Sequence, residues 1–314
     1  MKTLKIIAAA FRQAIASPGL IAWLLLMSLL VALPNALLVR KAVETSIGAS
    51  LAHEKLRDGF DMEWHSDYRF NNDGTASLLT PTSVRPAAFL DNLEAWFSGE
   101  LFTASPSLVA LGVLYALLWS LMSGGILYRL VHHDRAFSLR ALLSRGADYF
   151  PRFVRLMALT GVLYYAVYRF SGWLFPKLAD MMRDVTVEKT VLAVYMIAAL
   201  LVLALLTLVK LISDYAKVAT VLGERRSMLL AALHGLRFVL RHPLRTFGAY
   251  ATIAIAGLVA LALYAQVAPG QGQASMTAVL IAFLIAQVFL AFRIAQRLTV
   301  YGVAVEIYRD SVTD

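Results

Sequence analysis

The feature that most constrains this chain is a series of apolar runs, several of which reach the ~20 residues needed to cross a hydrocarbon core of roughly 30 Å. They fall at about 19–39, 108–130, 153–175, 191–212, 247–267 and 276–300. Inside a bilayer each backbone polar group must find its partner within the protein, and isolated runs of this length do so as helices. The runs therefore predict an all-α polytopic membrane protein, one six-span domain over residues 1–314. Composition agrees: 60% of residues are hydrophobic and 16% charged, with a mean hydropathy of +0.68, against about half and a quarter in soluble domains. A soluble fold with an oversized core fails on the run lengths. The net charge of +9, set beside apolar spans, points to anionic lipid headgroups rather than nucleic acid. Cysteine is absent, so disulfides, thiol nucleophiles and Cys–zinc sites are excluded.

Three basic amphipathic segments lie between the spans. In Thr3–Ser17 the residues Leu4, Ile7, Phe11 and Ile15 share a face, with Lys2, Lys5 and Arg12 elsewhere, and Pro18 ends the pattern. A basic start before an apolar run also fits a cleaved signal peptide. No small-x-small cleavage pattern precedes Arg40-Lys41, so the run counts as the first span. The second segment runs from Ser138 to Phe150, before Pro151. The third lies within Ser213–Pro243 (SDYAKVATVLGERRSMLLAALHGLRFVLRHP). There Gly223 suits a left-handed helix stop. Leu229, Leu233, Leu236 and Leu240 face the acyl boundary, and His234, Arg237 and Arg241 line another face. Expected N-caps are Thr3, Ser138 and Ser227. Ser120, Ser123, Gly124 and Gly125 give the second span a small-residue face for close packing.

The order of amphipathic helix, proline, span, outer loop and span recurs three times. Tyr128, Tyr215 and Tyr301 sit at near-equal intervals on even-numbered spans, and Pro18, Pro151 and Pro243 open odd-numbered ones. Lys and Arg outnumber Asp and Glu more than twofold in the termini and the two long amphipathic connections, while acids predominate in the other loops. The positive-inside rule then places both termini in the cytoplasm and residues 40–105 outside. In that outer loop FDMEWHSDYRF (Phe60–Phe70) alternates apolar and polar residues, which predicts a strand. Asn71-Asn72-Asp73-Gly74 is turn chemistry, and Thr75–Thr80 is the expected return strand. After Pro86 a helix carries Phe89, Leu90, Leu93, Trp96 and Phe97. The loop is thus expected to form a small extracytoplasmic β-hairpin and helix cap.

Little in the sequence suggests catalysis. His65 with Asp61, Glu63 and Asp67 would share one strand face, but no second His or Cys completes a metal site, and a solvated polar face is the expectation. His132-His133-Asp134-Arg135 reads as an interfacial turn, as do His234 and His242. Arg169, Lys210, Asp214, Arg293 and Arg297 lie near span ends, where long side chains reach headgroups. Arg129, Asp214 and Arg297 form the expected structural ion cluster. Lys5, Arg12, Arg140, Arg145, Arg237 and Arg241 are the expected headgroup contacts. No phosphate loop, nucleophile elbow or metalloprotease motif is present, so neither a cofactor nor an enzymatic activity is expected.

Asp214-Tyr215, Arg225-Arg226-Ser227 and Arg241-His242-Pro243 before a span resemble a pattern in bacterial six-span membrane proteins. They are more distantly similar to the membrane domain attached to some glycerophosphodiester phosphodiesterases. The likeness covers the spans and cytoplasmic connections, not the outer loop, and the catalytic barrel of those enzymes has no counterpart. It implies a bacterial inner-membrane location and a non-catalytic module. The leading expectation is a lipid-associated or partner-binding membrane module, with anionic lipid on the cytoplasmic side and an outer loop available to a protein partner. A transporter or channel for a small or lipid-like solute comes second, and a membrane-embedded hydrolase third.

Overall fold

The computed structural model describes residues 2–48, 61–72, 106–132, 137–268 and 275–313. Over these residues the protein is all-helical: α1 (Lys2–Ile15), α2 (Pro18–Gly48), α3 (Met62–Asn71), α4 (Pro106–Val131), α5 (Leu139–Met182), α6 (Glu188–Gly223), α7 (Met228–Arg241), α8 (Pro243–Val267) and α9 (Met276–Thr313). Five of these elements contain stretches long and apolar enough to cross a membrane: Pro18–Gly48, Leu108–Val131, Glu188–Gly223, Pro243–Val267 and Met276–Ser311. The stretch expected as a third span, 153–175, lies inside α5. Tyr164, Tyr165, Tyr168, Arg169, Ser171 and Gly172 dilute its apolar content, and it is not among the five.

The outer loop corrects the sequence reading. Residues 62–71 form the helix α3 in place of the first strand. Asp61 caps it, accepting from the backbone N–H groups of Glu63 (3.0 Å) and Trp64 (3.2 Å). Glu63 adds an acid to the first turn, where the helix dipole favours it. The supposed apolar strand face is split: Trp64 and Tyr68, one helical turn apart, are buried against Ala42, Val43 and Ile47 of α2. Met62 and Phe70 are exposed, Phe70 by 89%. Trp64 donates its indole N–H to Ser46 (3.0 Å), fixing the register on α2. The expected return strand and the helix after Pro86 lie outside the described residues.

Other boundaries move as well. Helix α5 runs unbroken through Pro151 and Pro176 for 44 residues, roughly 66 Å at 1.5 Å per residue. The expected stop at Pro151 is therefore absent. At Pro243, by contrast, the preceding His242 leaves helical geometry (φ −125°, ψ 50°), as residues before proline tend to. Ser138 and Ser227 cap α5 and α7 through the N–H groups of Ala141 and Leu230. Thr3 lies inside α1, which begins at Lys2, so it is not a cap. The left-handed residue after α6 is Glu224 (φ 46°, ψ 34°) and not Gly223.

The chain packs into two compact units. One holds Met1–Arg12, Leu117–Thr252 and Leu298–Asp314; the other holds Gln13–Ala116 and Ile253–Arg297. In the first unit the end of α6 is buried almost all round, from Leu211 through Val221, whereas Leu192, Met196, Ile197, Leu200 and Leu203 earlier on the same helix are exposed. A helix apolar on every side belongs in a core or in lipid, and α6 passes from one condition to the other. Close approaches at small residues hold the amphipathic helices in this unit. A Cβ on Gly235 of α7 would stand 2.8 Å from the Ile212 carbonyl, and one on Gly146 of α5 would stand 2.5 Å from the Leu121 carbonyl of α4. One on Gly302 of α9 would stand 3.0 Å from Ala10 of α1. In the second unit Gln296 donates to the Ile253 carbonyl (2.6 Å), and the Tyr264 and Phe289 rings stack at 4.5 Å, joining α8 and α9.

Candidate functional site: the buried carboxylate of α6

Asp214 sits in the wholly buried part of α6 with 0% of its side chain exposed. An isolated ionised carboxylate there would be prohibitively costly, so its partners decide what the site is. Lys210, one turn earlier on the same helix face, places its ammonium 2.6 Å from Asp214 Oδ2, with 38% of the lysine side chain exposed. Tyr250, two turns into α8, donates its hydroxyl to the same oxygen. Lys217 contributes a second favourable charge from the other side along α6. The ammonium groups of both lysines stand 6.0 Å from the Tyr301 ring, and that of Lys217 lies 5.9 Å from the Phe153 ring. Two donors converging on Oδ2 are the arrangement an ionised carboxylate requires. Asp214 Oδ1 is buried and has no hydrogen-bond partner among the described residues.

Lys210 and Lys217 both bear on Asp214. Of the expected cluster, Arg129 also lines a small cavity with Tyr128, Phe137, Ser138 and Arg145. Lys210 was recognisable as a neighbour by its spacing. No spacing along the chain marks Tyr250, although a buried aspartate in an apolar context demands hydroxyl or amine donors, and tyrosine brings one on an apolar body.

The expected headgroup residues Lys5, Arg12, Arg140, Arg145, Arg237 and Arg241 are all exposed. Arg145 also lies 4.6 Å over the Tyr128 ring and 3.6 Å from Asp148. On α7 three faces separate. Ala231, Gly235, Phe238 and Val239 are buried against the unit, with the Phe238 and Tyr215 rings 4.7 Å apart. Leu229, Leu233 and Leu240 point away, 66%, 62% and 62% exposed. His234 lies between, its Nε2 3.0 Å from the Tyr308 hydroxyl. Burial, then the charges of Arg225, Arg237 and Arg241, hold the His234 imidazole below its ordinary pKa.

Among the described residues no group of three or more His, Asp or Glu side chains converges. His65 is buried beside Trp64 and Tyr68 instead of facing solvent with the acids. His132 stacks on Tyr128 at 4.0 Å, with its Nδ1 2.9 Å from the Tyr128 carbonyl oxygen.

Apolar helices with exposed leucine surfaces, five of them long enough to cross a membrane, define a multi-pass α-helical membrane protein. No protein-family model, curated protein or solved structure matches the chain.

Proposed function

We propose that the chain is a non-enzymatic, six-span inner-membrane module that associates with anionic lipid through its basic amphipathic helices. The observation that carries this is α7: one face is fixed on the unit, Leu229, Leu233 and Leu240 are exposed, and Arg237 and Arg241 flank them. Leucine left in water forgoes roughly 25 cal/mol per Å² of apolar surface. A helix that anchors one face to protein and offers another to the outside, edged with arginine, is suited to the boundary between acyl chains and phosphates. In the same reading the second half of α5 is the sixth crossing, both termini are cytoplasmic, and residues 40–105 are outside.

Three packing contacts support the threefold repeat. Gly146 and Gly235 each follow their capping serine by the same interval, and Ala10 and Gly235 each precede their proline by the same interval. Each lies at a close approach to an even-numbered span. The likeness of the Asp214-Tyr215 and Arg241-His242-Pro243 stretches to membrane domains attached to phosphodiesterases accords with a lipid-side module.

The test is thermal unfolding of the purified protein with and without vesicles rich in phosphatidylglycerol. Arg237→Glu with Arg241→Glu is expected to abolish the stabilisation by anionic lipid. Stabilisation equal to that of the unaltered protein would reject the reading. A second reading, a pathway for protons or a small solute, is favoured by one observation, the buried Asp214 Oδ1 with no hydrogen-bond partner among the described residues. Loss of proton-coupled flux in Asp214→Asn proteoliposomes would support it.

A further inference from the structure

A recess of about 360 Å³ lies in the first unit where α4 and α6 end beside the amphipathic half of α5. Its size falls within the ~300–1,000 Å³ of small-molecule sites. Its wall holds Arg145 and Arg152, the rings of Tyr128 and Tyr149, and the carboxylates of Asp148 and Glu224. We propose that it binds a phosphodiester carrying a primary ammonium, the head group of phosphatidylethanolamine, with the phosphate at Arg145 and Arg152 and the ammonium at Glu224. The inference rests on the reading that this half of α5 lies at headgroup level.

Three observations argue for it. Both guanidiniums are steadied on aromatic faces, Arg145 4.6 Å from the Tyr128 centroid and Arg152 5.7 Å from that of Tyr149. A planar guanidinium so held keeps its N–H edge available for the bidentate contact that phosphate accepts. Asp148 already engages Arg145, at 3.6 Å. With Glu224 it balances the two guanidiniums, so a phosphate bearing further negative charge would meet two carboxylates and a simple cation would meet two arginines. A zwitterion satisfies both halves of the wall. Glu224 is also the one non-glycine residue with positive φ among the described residues. Glycine or asparagine takes that conformation with less strain, yet this turn carries a carboxylate facing the recess. Backbone strain of this kind gathers at ligand sites.

The experiment is native mass spectrometry of the full chain released from nanodiscs of equimolar phosphatidylethanolamine and phosphatidylglycerol. The unaltered protein should retain phosphatidylethanolamine preferentially. Arg152→Gln should lower that retention roughly tenfold, the scale of one lost charge-assisted hydrogen bond. Glu224→Gln should lower the ratio of phosphatidylethanolamine to phosphatidylglycerol by a similar factor. Added glycerophosphoethanolamine assigns the source: displacement of the lipid means the soluble head group suffices, and persistence of the lipid means the acyl chains are required. Unchanged lipid ratios in both variants, with normal thermal unfolding, would overturn the proposal. The α7 charge reversals separate the two ideas. If they lose stabilisation by anionic vesicles while Arg152→Gln and Glu224→Gln are silent, the interfacial reading stands and the recess falls.

Discussion

Asp214 and Lys210 show how one helical turn disposes of a charge that the surrounding core would otherwise reject. Removing one partner of a buried pair costs about 3–5 kcal/mol, because the other charge stays behind. Here Lys210 is partly exposed, so Lys210→Met should cost about 3 kcal/mol, at the low end of that range. Lys210→Met with Asp214→Leu should recover most of the loss. Thermal unfolding in detergent checks both, and a double variant no more stable than Lys210→Met would contradict this assignment.

Glu224 carries the opposite kind of cost, a left-handed backbone worth roughly 1–2 kcal/mol for an L residue. Glu224→Gly should therefore raise stability, by up to about 1 kcal/mol after the added chain entropy of glycine, while losing the preference for phosphatidylethanolamine.

His234 gives a pH dependence. It is surrounded by Arg225, Arg237, Arg241, His242 and Tyr308, and its folded-state pKa lies below 6.5. The unfolded chain therefore takes up the proton first, and stability falls as pH drops below 6.5 toward the folded value. Above 6.5 the slope fades, and about one pH unit higher this residue contributes none. In His234→Gln that part of the acid sensitivity should disappear from a series of unfolding temperatures between pH 7.5 and 5.

At the scale of elements, five of the six apolar runs are legible because length and apolarity together decide what can cross a bilayer. Ser138 and Ser227 were legible as caps because a serine hydroxyl at a helix start has few other uses. The helix α3 was misread for a physical reason. FDMEWHSDYRF satisfies period two, but it also places Trp64 and Tyr68 at i and i+4 behind an aspartate cap, and burial against α2 selected the helical solution. Pro151 misled differently. Proline removes one hydrogen bond from a helix without necessarily ending it, and α5 continues through it. Tyr250 is not legible in the sequence because its partner Asp214 lies on another helix, a relation that no spacing along the chain encodes. The packing of α7 on α6 yields a paired prediction. Gly235→Val should destabilise by about 1–3 kcal/mol through overpacking, since a Cβ there already crowds the Ile212 carbonyl. Gly112→Ala, with nothing within 4 Å of its Cβ, should be tolerated or slightly stabilising.

At the scale of the whole molecule, the central claim is that the basic amphipathic helices and both termini lie on one face of the membrane. That requires α5 to be a crossing despite its tyrosines and Arg169. The sequence pattern supports an even number of spans through charge asymmetry, whereas among the described residues five helices meet the length and apolarity needed to cross. Because the chain contains no cysteine, single cysteines can be introduced without background. The decisive measurement is labelling of Thr3→Cys, Ser227→Cys and Ser311→Cys with a membrane-impermeant maleimide, in intact spheroplasts and in inverted vesicles. The expected result is that all three react in inverted vesicles and none in spheroplasts. Labelling of Thr3→Cys and Ser311→Cys from opposite faces would mean an odd number of crossings and would contradict the claim.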